Sequence, residues 1–119
     1  MKTAFTLIAT AFLTLSANVY ADNAGLSLAQ KNACMSCHGV DKKIVGPGYT
    51  DVAAKYRAEL AGVKKPADKK AAELAIENKL VDKVKKGGAG AWGTIPMPPN
   101  PQVADADLHT IVKWVLSLK

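Results

Sequence analysis

The feature that most constrains this chain is Cys34-Met35-Ser36-Cys37-His38, a run that holds both of its cysteines. Two cysteines at this spacing lie on one side of a helical turn, so both sulfur atoms face the same neighbour. A disulfide between them would leave the adjacent histidine unexplained. A structural zinc site needs two more ligands, and His109 is the only other cysteine or histidine. A thioredoxin-like pair needs alternating strands and helices around it, which this sequence lacks.

The order Cys-x-x-Cys-His is typical of covalent haem attachment. Thioether bonds from Cys34 and Cys37 can reach the two vinyl groups on one edge of a porphyrin, and His38 can then bring its imidazole to the iron. A small domain gains from such a cofactor, because the porphyrin supplies a large apolar body around which the chain collapses. We therefore predict one covalently bound haem c, with His38 as an axial ligand of its iron.

The second axial ligand is predicted by elimination among His109 and three methionines. His109 lies beside the apolar stripe of the last helix, which favours an exposed surface imidazole. Met1 belongs to an export signal, and Met35 lies between the two haem cysteines. Met97 remains, in a proline-rich run that cannot be helical and that holds the thioether in one place. The alternative for Met97 is a side chain that only fills a gap beside the proline turns.

Ligation by His38 and Met97 predicts a carrier of single electrons. Both axial positions are then filled, so oxygen and peroxide have no place to bind, and the thioether favours the reduced iron. The main alternative is a haem enzyme or gas-binding sensor with an open or labile sixth position. Another is a fixed subunit of a larger reductase or oxidase. The stiff proline loop favours the carrier, and we expect no enzymatic activity.

Three residues are candidates for contacts that support the ligands. A metal-bound histidine usually donates its second ring N–H to an acceptor, and a backbone carbonyl near Pro47 follows His38 closely enough to serve. Trp92 can pack on the porphyrin and donate its indole N–H to a propionate, or can simply fill the core. Asn100 can donate an amide hydrogen bond to the sulfur of Met97.

The N-terminal segment predicts export. Residues 1–21 begin with a positive charge at Lys2, continue as an apolar stretch over residues 4–15, and end with the small residue Ala21. This is the order of a secretory signal. A membrane anchor is the alternative, but it needs about 20 apolar residues. We expect cleavage after Ala21, one haem-binding domain at residues 22–119, and a periplasmic location without stable membrane insertion.

Three helical regions and no convincing strand are readable. The first runs from about Ser27, as an N-cap, to the cysteines, the second covers about 50–86 with an interruption at 62–66, and the last covers about 105–118. The apolar positions expected to face the core are Leu74, Ile76, Leu80, Val81 and Val84 in the second region and Leu108, Ile111, Val112 and Val115 in the last. The fold class is therefore all-α, with Gly/Pro-rich loops at 46–48 and 87–101 that are suited to wrap a cofactor.

These motifs resemble those of the short bacterial class I cytochromes c of the c-551/c-552 type. The matching stretches span most of the predicted domain and are residues 34–38, 45–49, 51–56, 92–100 and 113–116. The resemblance implies a compact all-α fold around one haem, with the Pro47 carbonyl on the His38 ring and Trp92 near a propionate. It also implies periplasmic redox partners, such as a nitrite reductase, a terminal oxidase or a donor of the cytochrome bc1 type.

The chain departs from that family at three places. Residues 57–72 form a longer, lysine-rich segment in a chain of net charge +6. This segment either steers docking to an acidic partner through salt-dependent attraction or is an ordinary solvated helix face. Ala29 stands where members often have an aromatic residue, and Lys83 where some carry an arginine toward a propionate. Nothing here indicates nucleic-acid binding, and we expect a monomer.

Overall fold

The architecture is a set of four helices joined by loops, described by a computed structural model over residues 18–119. The predicted signal segment, residues 1–21, lies outside this range except at its end. The elements are α1 (Asn18–Lys31), a 3₁₀ turn (Cys34–Ser36), α2 (Tyr49–Ala61), α3 (Pro66–Lys86) and α4 (Asp105–Ser117). The described residues form isolated bridges but no strand, which confirms the all-α prediction. None of these helices is both long and apolar enough to cross a membrane.

Helices α1 and α4 cross in close contact. A Cβ atom placed on Gly25 would lie 2.1 Å from the Cβ of Trp114, so only glycine permits this approach. Ala29, one turn further along α1, has no exposed surface, and Trp114 is 6% exposed. The two helices therefore pack tightly without an aromatic residue at position 29, because the large side chain at the crossing comes from α4.

The first helix begins earlier than the sequence predicts. It starts at Asn18 and continues through Ser27, which is exposed and is not an N-cap. Residues 18–26 contain no proline, and a serine inside a helix costs only a few tenths of a kcal/mol relative to better helix formers. The contact between Gly25 and Trp114 stabilises the helical conformation of this region. The capping preference of Ser27 therefore does not determine where the helix starts.

The other helices follow the sequence prediction closely. Gly62 ends α2, and Pro66 occupies the first turn of α3, where its missing N–H has no helical partner to lose. All four residues of the α4 stripe are buried. In α3, Ile76 and Val81 are buried, but Leu74 is 57% exposed, so its predicted burial is wrong. Leu74 shares the helix face of Val81 but lies two turns earlier, beyond the cluster that covers Val81.

Replacing Gly25 by alanine should destabilise the domain. Alanine favours a helix by about 1 kcal/mol over glycine, but its methyl group would push α1 away from Trp114, and overpacking of this kind costs about 1 to 3 kcal/mol. We expect a net loss in the free energy of unfolding, measured by urea titration. Gly62→Ala is the control, because its nearest neighbour would be 3.7 Å away and its φ is −75°. Equal stability of the two variants would contradict the crossing described above.

Candidate haem site

A cavity of about 340 Å³ brings together residues from the Cys-x-x-Cys-His run and the loop between α3 and α4. Its walls are mostly apolar and include residues of three helices, among them Val52 of α2, Leu80 of α3 and Ile111 of α4. Of the residues predicted from the sequence to lie at a haem, those that line this cavity are Cys34, Cys37, His38, Pro47, Trp92, Met97 and Lys83. Asn100 is not among the lining residues.

The two cysteines are presented by a tight turn. Ala33, at φ 59°, reverses the chain after α1, and the 3₁₀ turn that follows is closed by hydrogen bonds from the N–H groups of Cys37 and His38 to the carbonyl of Cys34. Both cysteines are half-buried and neither forms a disulfide. Burial raises the pKa of the Cys34 thiol, which keeps it neutral in the apolar wall.

The imidazole of His38 is fixed by contacts on several sides. Its Nδ1 lies 2.8 Å from the carbonyl oxygen of Pro47, and since a carbonyl only accepts, Nδ1 is the donor. The ring stacks on Tyr49 with centroids 5.0 Å apart and planes 14° from parallel. Gly46 lies against the same ring, where a Cβ would come within 2.5 Å of Cε1. Nε2 is therefore the nitrogen left for a metal, on a ring that cannot turn.

Tyr49 connects the site to the helical core. Its ring makes an edge contact with Trp114, with centroids 5.5 Å apart and an interplanar angle of 81°. Burial, followed by the neighbouring Cys34, raises the pKa of Tyr49, so the phenol stays neutral. The sequence prediction did not give Tyr49 a role. An aromatic residue directly after Gly46-Pro47-Gly48, at the start of a helix, is the signal that could have indicated one.

Met97 is held by a short antiparallel bridge to Gly88. The N–H of Met97 donates to the Gly88 carbonyl at 3.0 Å, and the N–H of Gly88 donates to the Met97 carbonyl at 2.9 Å. Gly87 has φ 67°, and a Cβ there would lie 2.3 Å from the Met97 carbonyl oxygen. Within residues 91–99, Met97 alone is half-buried, while the others are exposed. Met97 lines the cavity together with its neighbours in the loop, and it is the least exposed of them.

Asn100 fixes the base of the loop that carries Met97. Its backbone N–H donates to the carbonyls of Val84 and Lys85, which end α3. Its side-chain amide donates to the Pro98 carbonyl at 3.0 Å and to the Val84 carbonyl at 3.4 Å. Both amide hydrogens are thus directed to backbone oxygens. The hydrogen bond to the Met97 sulfur that the sequence suggests stays a prediction.

An ion pair between Lys85 and Asp105 joins the end of α3 to the start of α4, on either side of this loop. The Lys85 ammonium, first by hydrogen bonding and then by charge, lowers the pKa of Asp105. The carboxylate is therefore ionised at neutral pH, where the pair is complete. Both side chains are well exposed, so the ion pair contributes little to stability on its own.

His109 does not belong to the cavity. Its Nδ1 lies 2.6 Å from a carboxylate oxygen of Glu77, which Lys113 also approaches at 3.7 Å. His109 is about one third exposed and is absent from the cavity lining. His109 therefore lies in the contact between α3 and α4 and not at the candidate haem cavity.

The residues of the cavity fit a haem c. Two thiols, an imidazole with one free ring nitrogen and a thioether meet in one apolar space, and this donor set suits thioether attachment and axial ligation of iron. Lys43 and Lys83 also line the cavity and offer positive charge to anionic propionates. Trp92, 40% exposed, lies on the same wall as Met97.

Comparison with known proteins gives consistent findings. A family model described as cytochrome c matches residues 23–119. The chain is 44% identical to cytochrome c-552 of Nitrosomonas europaea over the full length of both proteins. It is 43% identical to cytochrome c-551 of Allochromatium vinosum, over 89% of this chain and 95% of that protein.

Solved structures agree with the sequence relatives. The crystal structure of wild-type Nitrosomonas europaea cytochrome c552 matches with a TM-score of 0.61 at 42% identity, covering 79% of this chain and 99% of that one. The class 1 cytochrome MtoD of Sideroxydans lithotrophicus matches with a TM-score of 0.57 at 31% identity, over 80% and 92% of the two chains.

Replacing Gly46 by alanine should displace the His38 ring, because the new methyl group would overlap Cε1 and crowd both ring nitrogens. We expect the purified holoprotein to show weakened or heterogeneous low-spin haem absorption and a loss of stability of about 1 to 3 kcal/mol. Pro47→Ala is the matched control, because it keeps the carbonyl that accepts from His38. If Gly46→Ala and Pro47→Ala give the same spectra as the unmodified protein, the ring is not confined as described.

Proposed function

Because the chain belongs to the cytochrome c family, we propose that it is a periplasmic carrier of single electrons, with His38 and Met97 as the axial ligands of one covalently bound haem c. The observation that carries this proposal is the position of Met97. It is the half-buried residue of an otherwise exposed stretch, and it lines the same cavity as Cys34, Cys37 and His38.

The haem, when bound, supplies an iron that gains and loses one electron. The protein's part is to keep the ligands still during this change. The Pro47 carbonyl and the Tyr49 ring hold His38 in one orientation, and the bridge to Gly88 holds the backbone of Met97. Electron transfer is fast when the ligand set moves little between oxidation states, and two occupied axial positions leave oxygen no place at the iron.

The remaining residues of the site adjust the surroundings of the haem. We assign Trp92 to a contact with a propionate, and Lys83, with Lys43, to its counter-charge, because all three line the cavity. We also assign Asn100 to a hydrogen bond with the Met97 sulfur in the haem-bound protein, which would replace the longer of its amide contacts, the 3.4 Å contact with the Val84 carbonyl. The bond to Pro98 and the backbone contacts would still fix the base of the loop.

The proposed location and partners follow from the N-terminal segment and from the family. Residues 1–21 carry the order of a secretory signal, which supports export of residues 22–119 to the periplasm, and we propose that this domain acts there as a monomer. The partners are other periplasmic redox proteins: a nitrite reductase or terminal oxidase as acceptor and a cytochrome bc1-type complex as donor. The protein itself is not an enzyme in this proposal. A haem enzyme or gas sensor would need a weakly held sixth ligand, and the fixed backbone of Met97 does not favour one.

Replacement of Met97 by leucine tests the ligand set. Ferric haem with methionine sulfur on the iron has a weak near-infrared absorption band, and we expect Met97→Leu to abolish it and to lower the reduction potential, since the thioether favours reduced iron. Met35→Leu is the matched control, because Met35 packs against the core between the two cysteines. Retention of the band in Met97→Leu would show that the sixth ligand is another residue.

Carbon monoxide distinguishes the carrier from the haem enzyme or sensor. With Met97 on the iron, the reduced unmodified protein should bind carbon monoxide slowly and weakly, and Met97→Leu should bind it at least tenfold faster. The measurement is the change in haem absorption after stopped-flow mixing. Rapid binding by the unmodified protein would mean that its sixth position is open, and the carrier proposal would fail.

A further inference from the structure

Trp92 lacks a buried anchor of its own. Its side chain is 40% exposed, and its loop contains Gly88, Gly90 and Gly93, all at positive φ. A Cβ placed on Gly90 or Gly93 would meet no protein atom within 4 Å, so the protein does not pack around these two glycines. A protein contact that orients the indole is therefore to be sought outside this loop.

Lys55 of α2 provides that contact. Its ammonium nitrogen lies 5.9 Å from the centre of the Trp92 ring and 5.1 Å from the centre of the Tyr56 ring. These distances are in the range in which a cation is attracted to an aromatic face. The same nitrogen lies 3.2 Å from a carboxylate oxygen of Glu59, one turn further along α2. Lys55 thus makes a contact between α2 and the glycine-rich loop that carries Trp92.

The support beneath Lys55 is firm. Tyr56 is 2% exposed and packs in the main core cluster. The Lys55 side chain itself is 38% exposed, so its charge is not lost to burial. The ammonium therefore contacts a buried aromatic ring and the Trp92 ring, and its ion pair with Glu59 limits its other conformations.

We propose that Lys55 is a positioning residue, which holds Trp92 against the haem cavity and thereby raises the reduction potential. This inference rests on the proposed function as an electron carrier. The effect has two parts. Lys55 orients the indole that contacts the propionate, and it places a positive charge near the cavity rim. Positive charge favours the reduced haem, which carries one positive charge less than the oxidised form.

Lys79 offers a built-in comparison. Its ammonium nitrogen lies 5.6 Å from the centre of the same Tyr56 ring. Among the described residues, Lys79 makes no cation–π contact with Trp92. A substitution at Lys79 therefore removes a similar charge and a similar contact with Tyr56, and leaves Trp92 untouched. A larger effect at Lys55 is what its position beside Trp92 predicts.

The test is the reduction potential of the holoprotein for Lys55→Met, Lys55→Arg and Lys79→Met. We expect Lys55→Met to lower the equilibrium constant for reduction about two- to fivefold, as a partly screened unit charge would. Lys55→Arg should stay close to the unmodified protein, because a guanidinium also stacks on aromatic rings. Lys79→Met should change the constant clearly less. Equal effects of Lys55→Met and Lys79→Met would overturn the proposal.

A double-mutant cycle separates positioning from charge alone. If Lys55 acts through the indole, Lys55→Met should have a smaller effect in a Trp92→Leu background than in the unmodified protein. Strict additivity of the two substitutions would overturn the positioning role. All variants are first checked for the near-infrared band of Met97 ligation. Absence of this band from the unmodified protein would refute the proposed function instead, so the two failures are distinguishable.

Discussion

The stacking of His38 on Tyr49 joins the two parts of this domain. The His38 ring lines the candidate haem cavity, and the Tyr49 ring makes an edge contact with Trp114 in the crossing of α1 and α4. The imidazole orientation is therefore set by the helical core through two aromatic contacts, in addition to its hydrogen bond to Pro47. A cytochrome c needs such a connection, because a haem ligand that moved independently of the core would have to be reorganised with each electron.

The loop that carries Met97 is built on a different principle. Backbone hydrogen bonds at its base hold it in place. The bridge between Gly88 and Met97 closes it, and Asn100 ties its end to the last carbonyls of α3. The two proposed axial ligands thus have unequal supports, because His38 stacks on the Tyr49 ring and Met97 is held by main-chain hydrogen bonds. The helices form much of the cavity wall, and the loop brings Met97 to it.

The sequence predicts the regular elements well and the irregular ones partly. Helix α4 was readable because its apolar positions repeat at helical spacing and all face one core. The start of α1 was not readable, because a long-range contact at Gly25 outweighs the capping preference of Ser27. Leu74 matches the apolar pattern of α3 but is exposed, because the residues that cover Val81 do not extend to it. The pattern along one helix does not show how far the neighbouring elements cover it.

The candidate site was predictable where covalent chemistry restricts the choice. The cysteine spacing and the small number of methionines identify residues that the structure brings to one cavity. The amide contacts of Asn100 depend on a loop with several glycines at positive φ, and the crowding of Gly46 on His38 depends on how a separate loop folds back over the ring. Such conformations follow from the assembled structure, and local propensity does not specify them.

The crossing of α1 and α4 also determines how this chain must assemble. Gly25 and Trp114 lie far apart in sequence, so their contact closes a loop of roughly 90 residues, at an entropic cost of about 4 kcal/mol from chain length alone. Contacts within α2 and α3 close much shorter loops. The contact between Gly25 and Trp114 therefore carries one of the largest loop-closure entropy costs in this domain. Covalent links from one cofactor to Cys34 and Cys37, together with its contact with the Met97 loop, would shorten the effective distance that the chain ends must search.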